Sequence, residues 1–112
     1  MTDATRPNDP PMLIMTSLAS GPKHGYALIQ DIEEFAGVRL GPGTLYGAIG
    51  RLEERGLIEA LGAEGRRRPY RLSAAGATAL QAALDEWHAI VRVGTERLAG
   101  RPATRGAAGG LA

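Results

Sequence analysis

Apolar residues at Met12, Leu13, Met15, Leu18 and Ala19 fall at helical spacing and predict a first helix over Met12–Ala19, which Gly21 and Pro22 end. Leu28, Ile29, Ile32 and Phe35 form the next apolar stripe. Gln30, Asp31, Glu33 and Glu34 lie on the other side, so a second helix is expected over Gly25–Ala36 with Gly37 as its left-handed stop. Leu40-Gly41-Pro42-Gly43 then reads as a loop whose proline opens a third helix, Pro42–Glu54, with Leu45, Ala48, Ile49 and Leu52 facing inward and Gly56 closing it.

Beyond Gly56 the period shifts from 3.6 towards 2. Leu57–Leu61 and Arg67–Leu72 are strand candidates around the turn residues Gly62-Ala63-Glu64-Gly65, and Pro69 predicts an edge position for the return strand. Ser73 is placed to cap a fourth helix running to Ala99, with a length of roughly 40 Å at 1.5 Å per residue. The order helix, helix, helix, hairpin, helix predicts a mainly α fold with a two-stranded β-hairpin: a winged helix-turn-helix plus one long C-terminal dimerisation helix. Residues 1–11, with Pro7, Pro10 and Pro11 among polar neighbours, read as a disordered lead-in. Residues 12–72 read as the winged helix, 73–99 as the C-terminal helix, and 100–112 as a flexible Gly/Ala-rich tail.

The fourth helix carries Leu80, Leu84, Trp87, Val91, Gly94 and Leu98 at steps of 4, 3, 4, 3 and 4, a heptad seam. Ala79, Ala83, Ile90 and Val93 widen the apolar strip. Packing within the same chain accounts for part of this surface, but a helix of that length overhangs so small a core. A homodimer through this helix is therefore expected.

Composition sharpens the picture. The chain has 112 residues, 44% hydrophobic and 22% charged, which argues for one globular domain. With no cysteine, disulfide scaffolds, thiolate metal sites and cysteine nucleophiles are excluded. No apolar run approaches the ~18 residues of a membrane helix and no secretory signal is evident, so a cytoplasmic protein is expected. Aromatic residues are only 4%, namely Tyr26, Phe35, Tyr46, Tyr70 and Trp87; so thin a core favours association. The net charge of +1 implies no partner by itself, because the average hides clustering.

Arg66, Arg67, Arg68 and Arg71 form such a cluster at the hairpin tip and return strand. Guanidinium forks match phosphate oxygens, and a narrow tip can follow a DNA groove. The bland reading is a solvated charged turn; directly after a candidate recognition helix, DNA contact is favoured. On the third helix, Thr44, Tyr46, Gly47 and Arg51 face outward as candidate groove readers. Gly47 and Gly50 each cost roughly 0.5–1 kcal/mol relative to alanine in a helix interior. They are either accidents of composition or a means of close backbone approach to DNA. Arg51 has an alternative too, pairing along its own helix with Glu54. Leu84, Trp87 and Val91 are the candidate effector pocket, a flat apolar cavity near a dimer axis; a plain interface anchor is the competing role for Trp87. His24 and His88 have no ligand cluster around them, so neither a metal nor a cofactor is expected. No nucleophile–base–orienter set is visible, which leaves a small enzyme as the weakest reading.

Several linked segments resemble PadR-type transcriptional regulators: Gly21-Pro22-Lys23-His24-Gly25-Tyr26-Ala27-Leu28, Leu40-Gly41-Pro42-Gly43-Thr44-Leu45-Tyr46, Arg51-Leu52-Glu53-Glu54-Arg55-Gly56-Leu57-Ile58, and Arg67 through Gly76. They occur in order from about Met12 to Trp87. The resemblance implies a homodimeric winged-helix DNA-binding repressor, and a dimer with two third helices is expected to read an inverted-repeat operator. It also implies release by a small aromatic or lipophilic effector. It places Tyr46 and the start of the third helix at DNA, and the single C-terminal helix is similar to the compact subgroup, some of whose members carry a tryptophan at the position of Trp87. Gly47 and Gly50 depart from the larger residues of many members, so base contacts do not carry over to them. The rival from another class is a winged-helix protein-interaction module without DNA or ligand binding.

Overall fold

The computed structural model describes residues 6, 8–62 and 68–102. Its elements are α1 (Pro10–Leu18), α2 (Gly25–Ala36), α3 (Pro42–Glu54), β1 (Ile58–Ala60), β2 (Tyr70–Leu72) and α4 (Ala74–Ala99). The predicted tip residues 63–67 and tail residues 103–112, and most of the predicted lead-in, lie outside the described residues.

Helix α1 is the centre of the fold. Met12, Leu13, Ile14, Met15, Ser17 and Leu18 are all buried, because α2, α3, β2 and α4 pack around it. The helix begins at Pro10, two residues before the predicted start, since Pro10 and Pro11 occupy first-turn positions where the missing N–H costs nothing. Helix α2 buries Leu28 and Ile32 and ends at Gly37, whose φ of 70° is the left-handed region. Phe35 departs from the predicted stripe: it is 47% exposed, one turn beyond the last core position of α2.

Helix α3 starts with Pro42 and buries Leu45, Ala48, Ile49 and Leu52, the four residues the spacing predicts. Its end is a Schellman motif. Gly56 (φ 74°) donates to the Glu53 carbonyl at 2.9 Å and Leu57 donates to the Leu52 carbonyl at 3.0 Å. The chain then reverses into β1.

Strands β1 and β2 pair antiparallel in the register Ile58–Leu72, Glu59–Arg71 and Ala60–Tyr70. The other side of β2 is not free. Lys23 N–H donates to the Tyr70 carbonyl (3.1 Å), and Tyr70 N–H donates to the Lys23 carbonyl (2.9 Å). Thus β2 is not an edge at Tyr70, contrary to the reading of Pro69. The proline is tolerated because it lies one residue before the strand, where its carbonyl still accepts from Leu61 N–H at 2.8 Å.

Ser73 caps α4. Its Oγ accepts from Gly76 N–H at 3.0 Å and donates to the Gly56 carbonyl at 2.7 Å. The N-terminus of α4 is thereby fastened to the end of α3. Leu80 is buried and Ala79, Ala83 and Leu84 pack on the core, after which α4 leaves it. Among the described residues, no helix is long and apolar enough to cross a membrane.

Candidate nucleic-acid interface

The inward face of α3 is fully buried, which fixes what its outward face presents: Thr44, Tyr46, Gly47 and Arg51 are all exposed. They occupy the first three turns of one helix surface, as predicted. Tyr46 is half exposed, and its hydroxyl rests on Gly25, the first residue of α2. This contact joins the two helices of the helix-turn-helix at the end where both begin. Glycine at position 25 is required by it, since a β-carbon there would overlap the phenol. Nothing in the sequence pattern signals this pairing, because the contact spans two elements.

At the next turn the Arg51 guanidinium lies over Gly47, 3.6 Å from where a β-carbon would stand. Arg51 forms no ion pair with a described residue, so the alternative pairing with Glu54 is not made. A cation lying along a side-chain-free stretch of helix can reach a phosphate or a guanine edge. Gly43 and Gly50 likewise have open space beside them.

The hairpin lies beside α3. Arg68 is exposed next to the start of β2, whereas Arg66 and Arg67 lie outside the described residues. Arg71, counted with them in the basic cluster, pairs across the hairpin with its register partner Glu59, Nε to Oε1 at 2.8 Å. At the turn-side end of the ladder, where the wing loop begins, Tyr70 is 7% exposed. Burial pushes its phenol above its ordinary pKa; the nearby Glu53 and Tyr46 add to the rise and Arg68 opposes it. The root of the wing and the recognition helix thus share an electrostatic neighbourhood.

On α4, Leu84 and Trp87 are half-buried and Val91, one turn further, is 60% exposed. Ile90 and Leu98 are exposed to similar extents, 60% and 66%. An apolar cleft of about 370 Å³ lies on the adjoining face, between α1, α3 and α4. Met12, Met15, Leu52, Ala79 and Ala83 line it, with Glu86 at its rim. The run of alanines along α4 is the sequence signal for it, since small side chains leave space. Among the described residues no group of His, Asp and Glu could hold a metal ion.

The model of the transcriptional regulator PadR-like family matches residues 14–82. A 37.1 kDa protein in a transposon of Streptomyces fradiae is 47% identical over 88 residues; the match takes in 79% of this chain and 25% of that protein. The chain therefore spans about a quarter of that relative's length. A transcriptional regulator of Mycobacterium tuberculosis is 36% identical over 96 residues, 83% of this chain and 86% of that protein. The crystal structure of a PadR family transcription regulator from Clostridium difficile superposes with a TM-score of 0.71 at 26% identity, covering 80% of this chain and 97% of that one.

Proposed function

This chain belongs to the PadR-like family of transcriptional regulators, and we propose that it is a homodimeric repressor which binds a double-stranded operator and is released by a small aromatic or lipophilic effector. The observation that carries the reading is the outward face of α3. Thr44, Tyr46, Gly47 and Arg51 are exposed on a helix whose other face is locked into the core, with Arg68 of the hairpin beside it. Residues 12–72 form the DNA-reading unit. Tyr46, Thr44 and Arg51 enter the major groove, and Arg66, Arg67 and Arg68 reach phosphates from the wing. The helix over residues 73–99 is the dimerisation element. The family and its Clostridium difficile member of known structure are transcription regulators, and a chain that acts on DNA in this way works in the cytoplasm.

The apolar surface left on α4 supports the dimer. Ile90, Val91 and Leu98 are exposed on the part of the helix beyond the core, and a second copy of α4 would cover them. Leu84, Trp87 and Val91 then approach their symmetry mates, so that two indoles flank a flat guest, and the cleft beside Glu86 adjoins that space. An effector bound there touches both subunits and changes the separation of the two α3 helices, which supplies the differential affinity that release requires.

Footprinting on the DNA upstream of the chain's own coding sequence tests this function. Protection of an inverted repeat, with half-site centres one helical turn (~10 bp) or a multiple apart, is expected. Protection of a single asymmetric half-site at saturation would contradict the symmetric repressor.

A further inference from the structure

Lys23 is the one lysine among the 13 Lys and Arg residues of the chain. Every other cation is an arginine, so what this position asks of its side chain can be read from what surrounds it. The Lys23 ammonium donates to the Ser17 carbonyl at 2.5 Å and to Ser20 Oγ at 2.8 Å, and lies 4.0 Å from Asp31 Oδ2. Ser17, itself 1% exposed, donates from Oγ to the same Asp31 oxygen at 2.6 Å. Ser20 Oγ in turn donates to the Ser17 carbonyl at 3.0 Å. Three oxygens, of the Ser17 carbonyl, the Ser20 hydroxyl and the Asp31 carboxylate, thus lie within 4.0 Å of the ammonium. A compact ammonium with three donors fits that arrangement; a planar guanidinium does not.

The cluster joins the end of α1 to the middle of α2, since Ser17 and Asp31 belong to those helices. The backbone of Lys23 is at the same time paired through both its N–H and its carbonyl to Tyr70 of β2. One residue therefore holds the wing root through its main chain and the helix pair through its side chain. Arg68 stands two residues from Tyr70.

We infer that Lys23 is a positioning residue for DNA binding: its ammonium fixes the segment against which Tyr70 is paired, and through Tyr70 sets where Arg68 lies relative to α3. The inference rests on the DNA-binding reading above. It explains the lysine in an otherwise all-arginine chain, and it gives Lys23 no contact with DNA, because its side chain is only 18% exposed and already bonded.

The test is a double-mutant cycle on the full chain. Lys23→Met is made in the wild-type background and in one where Arg66, Arg67 and Arg68 are all alanine. Affinity for a random-sequence duplex of ~30 bp, about three helical turns, is measured across a salt series. In the wild-type background Lys23→Met is expected to weaken binding and to lower the log–log salt slope by about 0.9 for each phosphate contact the wing loses. In the alanine background it should change neither. A loss of equal size in both backgrounds, or unchanged affinity and slope in the wild type, overturns the inference. Lys23→Arg keeps the charge and carries the same cycle if Lys23→Met does not fold; it should show the same defect, and full binding by Lys23→Arg would overturn the role of the ammonium. A wild-type chain with no salt-dependent affinity for the duplex defeats the DNA-binding reading itself. Normal wild-type binding that is unaffected by the triple alanine change overturns the positioning role alone.

Discussion

The Tyr46 hydroxyl lies on Gly25, so closely that any side chain on the α2 residue would displace the phenol. A candidate DNA-contacting phenol on α3 is thus held by the first residue of the preceding helix. Gly25→Ala forces the phenol to move, and the half-exposed ring can swing outward without opening the core. The variant should keep its stability within about 1 kcal/mol of wild type, since only the end of an exposed side chain is displaced. DNA affinity should nevertheless fall. Thermal unfolding beside a DNA titration checks both; wild-type affinity in Gly25→Ala would remove Tyr46 from the interface.

Gly76 presents the opposite case. A β-carbon there meets the Leu57 carbonyl and Leu72 Cδ1, and the carbonyl is backbone already bonded to Ser73 N–H at 3.1 Å. Neither it nor the first turn of α4 can yield cheaply. Gly76→Ala should destabilise the chain by roughly 1–3 kcal/mol, the usual cost of overpacking. Urea denaturation at matched protein concentration reads this as a lowered midpoint; an unchanged midpoint would mean that the α3–α4 junction is not the clamp derived above.

Helix and strand positions were largely legible from spacing, and the reasons are local. Leu45, Ala48, Ile49 and Leu52 repeat at the helical period and are all buried, while Gly37, Gly56 and Ser73 stop and start elements by their own backbone or hydroxyl chemistry. What spacing does not reveal is where the core ends. Phe35 continues the stripe of α2 yet lies half exposed, one turn beyond the last core position of that helix. Pro69 suggested an edge, but strand order depends on Lys23, 47 positions away in the chain, reaching Tyr70. The outward residues of α3 were legible because they are the complement of its buried face. The Gly25–Tyr46 contact, the Lys23 cluster and the cleft on α1, α3 and α4 were not, since each is made between elements whose relative placement periodicity leaves open.

The proposed dimer rests on the far half of α4, where Ile90 and Val91 are each 60% exposed. Replacing both by glutamate adds charge to a surface with no role in the fold of one chain, so helical content should persist. Sedimentation should then show a monomer where the wild type is a dimer, with weakened operator binding. A dimer that survives both substitutions would move the interface away from this face.

Trp87 is the one tryptophan of the chain, so its fluorescence reports its own surroundings. Planar dyes and phenolics are expected to quench it. Saturating DNA should weaken that binding by the factor by which the ligand weakens DNA binding, a coupling of typically ~1–3 kcal/mol. Quenching absent from the whole panel, or identical with and without DNA, would leave Trp87 as an interface anchor. Trp87→Ala must be followed by sedimentation as well, because loss of the anchor could itself abolish DNA binding.

The central claim is that α3 and the wing bind duplex DNA. Its most direct test is a titration of the wild-type chain with duplex upstream DNA and with a scrambled duplex at several salt concentrations. Log affinity is expected to fall linearly with log salt on both duplexes, with a slope of about −0.9 per phosphate contacted. Tighter binding to the upstream sequence is also expected, and a shallower slope when Arg67 and Arg68 are alanine. No measurable affinity for either duplex at low salt, in a protein that is folded and dimeric, would contradict it and leave the winged helix as a surface for another protein.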